Sequence, residues 1–389
     1  MSKSVYLDSK PRYEILDGLR GVAALMVICF HMFETYFSSS PDQPINHGYL
    51  AVDFFFVLSG FVVGYAYNDR WDRMTTWNFF KRRFVRLHPM IIAASVFGAL
   101  MFYFGDCSTF PLVNQTPWWQ VALYCLLGML MIPVSPSADI RGWEEIYPLN
   151  SPQWTMAWEY IANILYAYVF RHFSKTALAI AAALSALLTI NLALNIDVGG
   201  ILVPRNWAIY SVAGGWSTTP EQLLIGDSRL FYPFLIGLLI SRLNLLTRIK
   251  SGFWWCSLIV IAALGMPHMN GHVRAIEDGI YQVAAILIVF PLVVSMGAGS
   301  NVTGKSAKLC RWLGRISYPI YIIHYPLIYM QMSWAEKHKD LPLGVHIAVA
   351  VSLFILAIGI AHALLTIYDE PVREWLKDHW LHRKTSQKQ

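Results

Sequence analysis

The stretch LDGLRGVAALMVICFH, residues 16–31, reads as a membrane-spanning helix that carries two residues hydrocarbon penalises, Arg20 and His31. At about 100° per residue their spacing amounts to three full turns plus about 20°, so both side chains lie on one face, about 16 Å apart along the axis. A plain anchoring helix needs neither. An arginine near a helix end can snorkel to the surface, but His31 lies deeper on the same face. The pair therefore predicts a helix bundle with something stretched between them.

The rest of the composition agrees with a membrane setting. Of 389 residues 56% are hydrophobic and 14% charged, and the mean hydropathy is +0.44; a soluble domain carries about a quarter charged residues. An all-α polytopic membrane protein is expected. It forms one integral domain over residues 1–389, because no long polar region remains to fold separately. The first apolar run ends in CFHMFETYF without a small-residue cleavage site, so it is expected to stay as the first span. Cys29, Cys107, Cys125, Cys256 and Cys310 are dispersed, with no CxxC pair and no metal-ligand spacing. Neither a disulfide framework nor a metal is expected from them.

Apolar stretches fall at 16–37, 49–68, 89–105, 154–170, 176–195, 229–248, 253–267, 279–298, 316–333 and 345–367. Most approach the roughly 20 residues that a span requires. An eleventh run, WWQVALYCLLGMLMIP at 118–133, is short, ends in proline and sits between polar loops, which fits a re-entrant or interfacial segment. The positive-inside rule decides between the alternatives. With ten spans, both termini cytosolic and 118–133 not crossing, 24 of the 30 Lys and Arg face the cytosol. Only Arg141, Arg205, Arg229, Arg274, Lys337 and Lys339 are then outside. A crossing at 118–133 would put the basic ends at 171–175 and 242–250 on the wrong side. Residues 1–15 and the basic tail 369–389 are accordingly expected in the cytosol. The outer loops at 106–153 and 196–228 are long enough to carry function rather than merely connect.

Five segments bear chemistry. Beyond Arg20 and His31, NHGYLAVDFFFVLSGFVVGY (46–65) puts Asp53 near the outer end of span two, level with His31 in the antiparallel hairpin. A carboxylate there would fix the imidazole tautomer and raise its basicity, although a helix-capping role would also explain it. Ser59 and Gly60 read as small residues at a helix contact, with Ser59 a possible addition to the site. The cytosolic loop DRWDRMTTWNFFKRRFVRLHP (69–89) places Arg83 and Arg86 three apart, so that both can grip one anion if the stretch is helical. Together with Arg20 they form a basic mouth suited to phosphates. Glu159 begins the span at LNSPQWTMAWEYIANILY and so faces the bundle interior. His324 lies within RISYPIYIIHYPLIY as a further candidate.

A basic mouth on the cytosolic side, suited to a phosphate-rich donor, and a histidine base deeper on the same face fit coenzyme A thioesters. The phosphates would bind at Arg20, Arg83 and Arg86, and the acyl group would reach His31, with Asp53 and Glu159 assisting. An acceptor hydroxyl would approach from the outer side, so that transfer occurs across the membrane without passage of the donor.

The ordered set formed by R-GVAALMVICF-H, GYLAVDFFFVLSGF, RRFVR, SPQWTMAWE and ISYPIYIIHYP resembles the acyltransferase-3 family of integral membrane acyltransferases. The resemblance runs across nearly the whole chain. It implies that the arginine and histidine of helix one and the arginine pair after helix two, here Arg20, His31, Arg83 and Arg86, serve acyl-CoA use. The family's Trp-Ser-Leu before the glutamate reads WTM here, which aligns Glu159 without fixing its local role. With no hydrolase-like domain after the last span, a stand-alone form is expected. The resemblance further implies O-acylation, often acetylation, of a surface polysaccharide or lipid-linked glycan at the cell (inner) membrane. Acyl-CoA would be a donor substrate, with no permanently bound cofactor; membrane lipids would be the other partners, and no nucleic acid is expected. The competing readings are a transporter of an anionic glycan or lipid intermediate and a haem protein. Neither repeat symmetry with paired broken helices nor a second histidine on the span of His31 supports them.

Overall fold

The computed structural model describes residues 10–37, 42–202, 208–269 and 275–381, and among these it contains helices and no strand. In chain order the helices are α1 (Glu14–Phe37), α2 (Gly48–Tyr67), α3 (Thr76–Gly105), α4 (Trp118–Met129), α5 (Gln153–Tyr168), α6 (Lys175–Ala193), α7 (Pro220–Leu243), α8 (Gly252–Gly265), α9 (Ile276–Gly299), α10 (Gly304–Lys337) and α11 (Leu343–Leu381). Seven of them, all but α4, α5, α8 and α10, are long and apolar enough to cross a membrane. The 14-residue α8 and the 34-residue α10 run between the same two ends of the bundle, while the 16-residue α5 starts partway, at Gln153. Four polar residues along the middle of α10, Ser317, His324, Gln331 and Ser333, are buried and so shielded from lipid.

Local signals explain where helices begin. The Thr75 hydroxyl accepts from the Asn78 amide (3.2 Å), Ser174 from Ala177 (3.0 Å), and Thr219 caps α7 with Pro220 in the first turn. Two glycines permit the closest helix contact. A Cβ on Gly60 would collide with the Phe234 carbonyl, and one on Gly237 with that of Val57, so α2 and α7 touch backbone to backbone.

Polar contacts fix the two ends. At one, Lys10 bonds Asp69 (2.7 Å), Arg242 reaches the Phe170 and Phe173 carbonyls (both 2.6 Å), and Arg315 pairs with Glu370 (2.9 Å). At the other, His47 meets the Met266 carbonyl (2.6 Å) and Ser108 donates to Glu336 (2.7 Å). Among the described helices, all but α4 and α5 link the two ends. α4 starts beside the end of α3, where Tyr103 donates to the Thr116 carbonyl (2.6 Å), and stops at Met129, next to Gly128. There Gln153 contacts both Ser95 (2.7 Å) and the Gly128 carbonyl (3.4 Å). Ser95 lies ten residues, about 15 Å, before the end of α3. The chain then turns back at Met131, whose φ is +56°. The short segment is re-entrant, as its length and proline implied.

Three boundaries differ from expectation. The basic cluster 81–86 belongs to α3, capped already at Thr75, rather than to a loop. α7 begins at Pro220, which places Arg229 inside the bundle, 2% exposed, and not in an outer loop. Helix also continues through much of the expected tail, to Leu381. Arg205, Arg274 and residues 382–389 lie outside the described residues.

Because α4 turns back, cysteines placed at exposed Ser137 and Thr218, in a chain lacking its own five, should react with an impermeant thiol reagent from the same membrane side. A cysteine at exposed Ser174 should react from the opposite side. Labelling of 137 and 218 from different sides would mean that α4 crosses.

Candidate active site

α1 packs along α10 in the same direction: Glu14 pairs with Arg311 (2.6 Å), Arg20 donates to Ser317 (2.9 Å), and His31 stacks on His324 with ring centroids 5.5 Å apart. This seam carries both ends of the candidate site. At the first, Arg20 is also held by Asp17 (3.0 Å) and the Gly314 carbonyl (3.4 Å). Arg83 is buried and ion-paired to Glu159. Glu159 also accepts from Ser59 (2.7 Å) and Asn163 (3.3 Å). Arg86, one turn further along α3, is exposed and makes no hydrogen bond or ion pair among the described residues. It lies in the electrostatic field of Arg83, Arg20 and Asp17. Two fixed guanidinium groups therefore flank a third that has no counter-ion, which is an arrangement that attracts an anion.

At the second position, His31 Nδ1 is 2.8 Å from Glu34 Oε2, one helical turn on. A carboxylate only accepts, so Nδ1 carries the proton and Nε2 presents a lone pair, as a general base requires. The His31 side chain is 20% exposed and hence reachable. His324 is 1% exposed, its Nδ1 bonded to the Tyr321 carbonyl (2.7 Å), with Nε2 buried and unpartnered. Tyr325 meets the edge of His31 at 4.7 Å between centroids and passes contact on to Tyr329 (4.8 Å). Tyr329 donates to Glu145 (2.6 Å) of the loop after α4, beneath the Arg141 guanidinium (3.5 Å to the ring centroid). Burial pushes the Glu145 carboxyl up to about 7. A continuous aromatic path thus joins His31 to that loop.

The structure redistributes the expected carboxylates. Asp53 does not partner His31: it is fully buried and ion-paired to Arg229 (2.9 Å), which also bonds the Tyr49 and Gly214 carbonyls (2.6 and 3.1 Å). A buried arginine this close captures the carboxylate, and α7's early start is what brings it there. Glu159 likewise sits with the arginines and Ser59, not with His31. The partner that sequence reasoning missed is Glu34. Its signal, HMFE with i,i+3 spacing on one helix, was present. His324 does join His31.

Taken together, the apolar helices define a multi-pass membrane protein, with a basic end and a carboxylate-bonded histidine on one seam. Residues 13–365 match the acyltransferase domain model of the acyltransferase-3 family, and the chain belongs to that family. Among curated relatives, protein 2 in the picA locus of Rhizobium radiobacter is 35% identical over 40% of this chain and 81% of its own length. Acyltransferase MdmB of Streptomyces mycarofaciens is 23% identical over 92% of this chain and 91% of its own. The peptidoglycan O-acetyltransferase OatA of Listeria monocytogenes is 23% identical over 80% of this chain but 49% of its own length, so this chain spans about half of it. No solved structure gives a significant match. The protein is a multi-pass membrane acyltransferase.

The Arg83–Glu159 pair yields a stability test. Arg83→Ala strands a buried carboxylate, and breaking such a pair costs about 3–5 kcal/mol. Thermal unfolding in detergent should show a large fall for Arg83→Ala and a smaller one for the double variant Arg83→Met/Glu159→Leu. Equal or additive losses would show that the two are not energetically paired.

Proposed function

We propose that the protein transfers an acyl group, expected to be acetyl, from cytosolic acyl-CoA to a sugar hydroxyl of a surface polysaccharide or lipid-linked glycan at the cell membrane. The carrying observation is the α1–α10 seam, with Arg20 at one end in the field of Arg86 on α3, and the His31–Glu34 dyad about 16 Å from Arg20 along the same face of α1. OatA is a peptidoglycan O-acetyltransferase by name and YrhL of Bacillus subtilis a putative one, which supports acetyl transfer to an envelope glycan.

In this reading the coenzyme A phosphates bind Arg86, with Arg20 beside it, and the thin pantetheine arm lies along the seam. Arg83 orders the mouth through Glu159. His31 Nε2 removes the proton from the acceptor hydroxyl as its oxygen attacks the thioester carbonyl. Glu34 stabilises the imidazolium that forms. The carbon–sulfur bond then breaks, and the departing thiolate takes the proton back from His31. The acceptor reaches the partly exposed His31 from the end of the bundle remote from Arg20, and the end bearing Arg20 is cytosolic.

His31→Ala should lower turnover by about 10²–10⁴-fold while donor binding persists. Near-normal turnover in a well-folded variant would remove His31 from the base role. Arg86→Ala should raise the apparent donor constant about ten- to hundredfold, the loss of one charge-assisted contact. Its unfolding temperature should stay unchanged, because no protein group depends on it. A donor constant unmoved by Arg86→Ala, or absence of acyl-CoA consumption by the purified chain, would refute the donor assignment.

A further inference from the structure

Three side chains at the end of the bundle remote from Arg20 take no part in the chemistry above. His47 immediately precedes α2, His268 follows α8, and Asp278 lies in the first turn of α9. Each offers a ligand atom, and these atoms all lie within 4.8 Å of one another. His47 is completely buried and Asp278 is 1% exposed. The His47 ring is fixed: Nδ1 is 2.6 Å from the Met266 carbonyl, and a carbonyl only accepts, so the proton sits on Nδ1. Nε2 therefore carries a lone pair, yet it is buried without a hydrogen-bond partner among the described residues and lies 3.8 Å from Asp278 Oδ1. A buried, unsatisfied acceptor is expensive and calls for an explanation.

The carboxylate is held just as firmly. Asp278 Oδ1 accepts from the Met269 amide (2.8 Å), and Oδ2 is 3.1 Å from His268 Nδ1. The Tyr281 ring meets the His47 ring at 4.8 Å, and its hydroxyl donates to the Ala263 carbonyl (2.6 Å). Ligating histidines characteristically donate their second ring nitrogen to a backbone carbonyl, the bond that His47 makes. Two imidazole nitrogens and one carboxylate oxygen form a borderline donor set that suits zinc above magnesium or calcium. Metal–ligand distances of about 2.0–2.2 Å set tetrahedral donor separations of about 3.4 Å, so the ligands need close in by little more than an ångström.

We propose that His47, His268 and Asp278 bind one zinc ion that fastens the start of α2, the end of α8 and the start of α9 to one another. Such an ion would supply the partner that His47 Nε2 lacks and keep a fourth coordination position for water. Its role is to hold this end of the bundle, next to the Tyr49 carbonyl that anchors Arg229 and hence Asp53. The inference is independent of the acyl-transfer reading.

The test uses tag-free, chelator-stripped full-length protein in detergent, equilibrated with zinc chloride, separated from free metal and analysed by elemental mass spectrometry. One zinc per chain should be retained, and His268→Ala and Asp278→Asn should each weaken binding at least tenfold. Added zinc should raise the thermal midpoint of the original chain and leave those of the two variants unmoved. Cobalt at the same site should show the visible bands of tetrahedral coordination. A folded original chain that retains no zinc, or a folded His268→Ala chain that retains it equally well, overturns the proposal. Asp278→Asn keeps nearly the same shape, so it reads ligand loss without truncating the side chain.

Discussion

The parallel packing of α1 against α10 is the contact from which the rest of the candidate site takes its position. It is close because Gly21 has no side chain: a Cβ there would lie 2.6 Å from the Leu313 carbonyl oxygen. It aligns Arg20 with Ser317 at one level and His31 with His324 at another, so a single register sets two sites at once. A shift of one helical turn along that seam, about 5.4 Å, would separate both pairs together. His31 and Arg20 are thus coupled through the backbone of one helix.

Within this frame, charge falls into two kinds. Arg83 with Glu159 and Arg229 with Asp53 are neutralised pairs sealed in the bundle, and each bridges different helices. Hydrocarbon makes such pairs conditional: either member alone is a severe burden, while together they fix which faces meet. Arg86 belongs to the other kind, as a cation left without a counter-charge where solvent can reach it. That contrast separates architecture from recognition more sharply than location alone, since Arg83 and Arg86 are three residues apart.

The helical class and the short α4 segment were legible because hydropathy and span length are local properties that the bilayer enforces. His31 and its facing of Arg20 were equally legible, being a matter of helical period. Partner choice was not. Asp53 looked like the companion of His31 because a hairpin model places them at one level, but its partner Arg229 comes 176 residues later in the chain and its depth follows from where α7 starts. Glu34 was overlooked despite its local signal, because it lies near the end of an apolar run where a solvated carboxylate is ordinary. His47, His268 and Asp278 are far apart in sequence and show no ligand spacing, so only the folded chain brings them together.

The meeting of α4 and α5 at Gly128 and Gln153 has a mechanical consequence. The two segments amount to one transmembrane path cut partway, with α4 covering the outer portion and α5 the remainder, and side chains of Gln153 and Ser95 bridging the cut. An unbroken helix answers a thicker or thinner bilayer by tilting as a rod, which displaces both of its tips. A jointed one bends at the cut. Strain arriving from lipid on the exposed Trp118 and Trp119 is then taken up at the joint, and Glu159, beyond it on α5, keeps its grip on Arg83. The break works as a shock absorber between the membrane surface and the basic end of the seam.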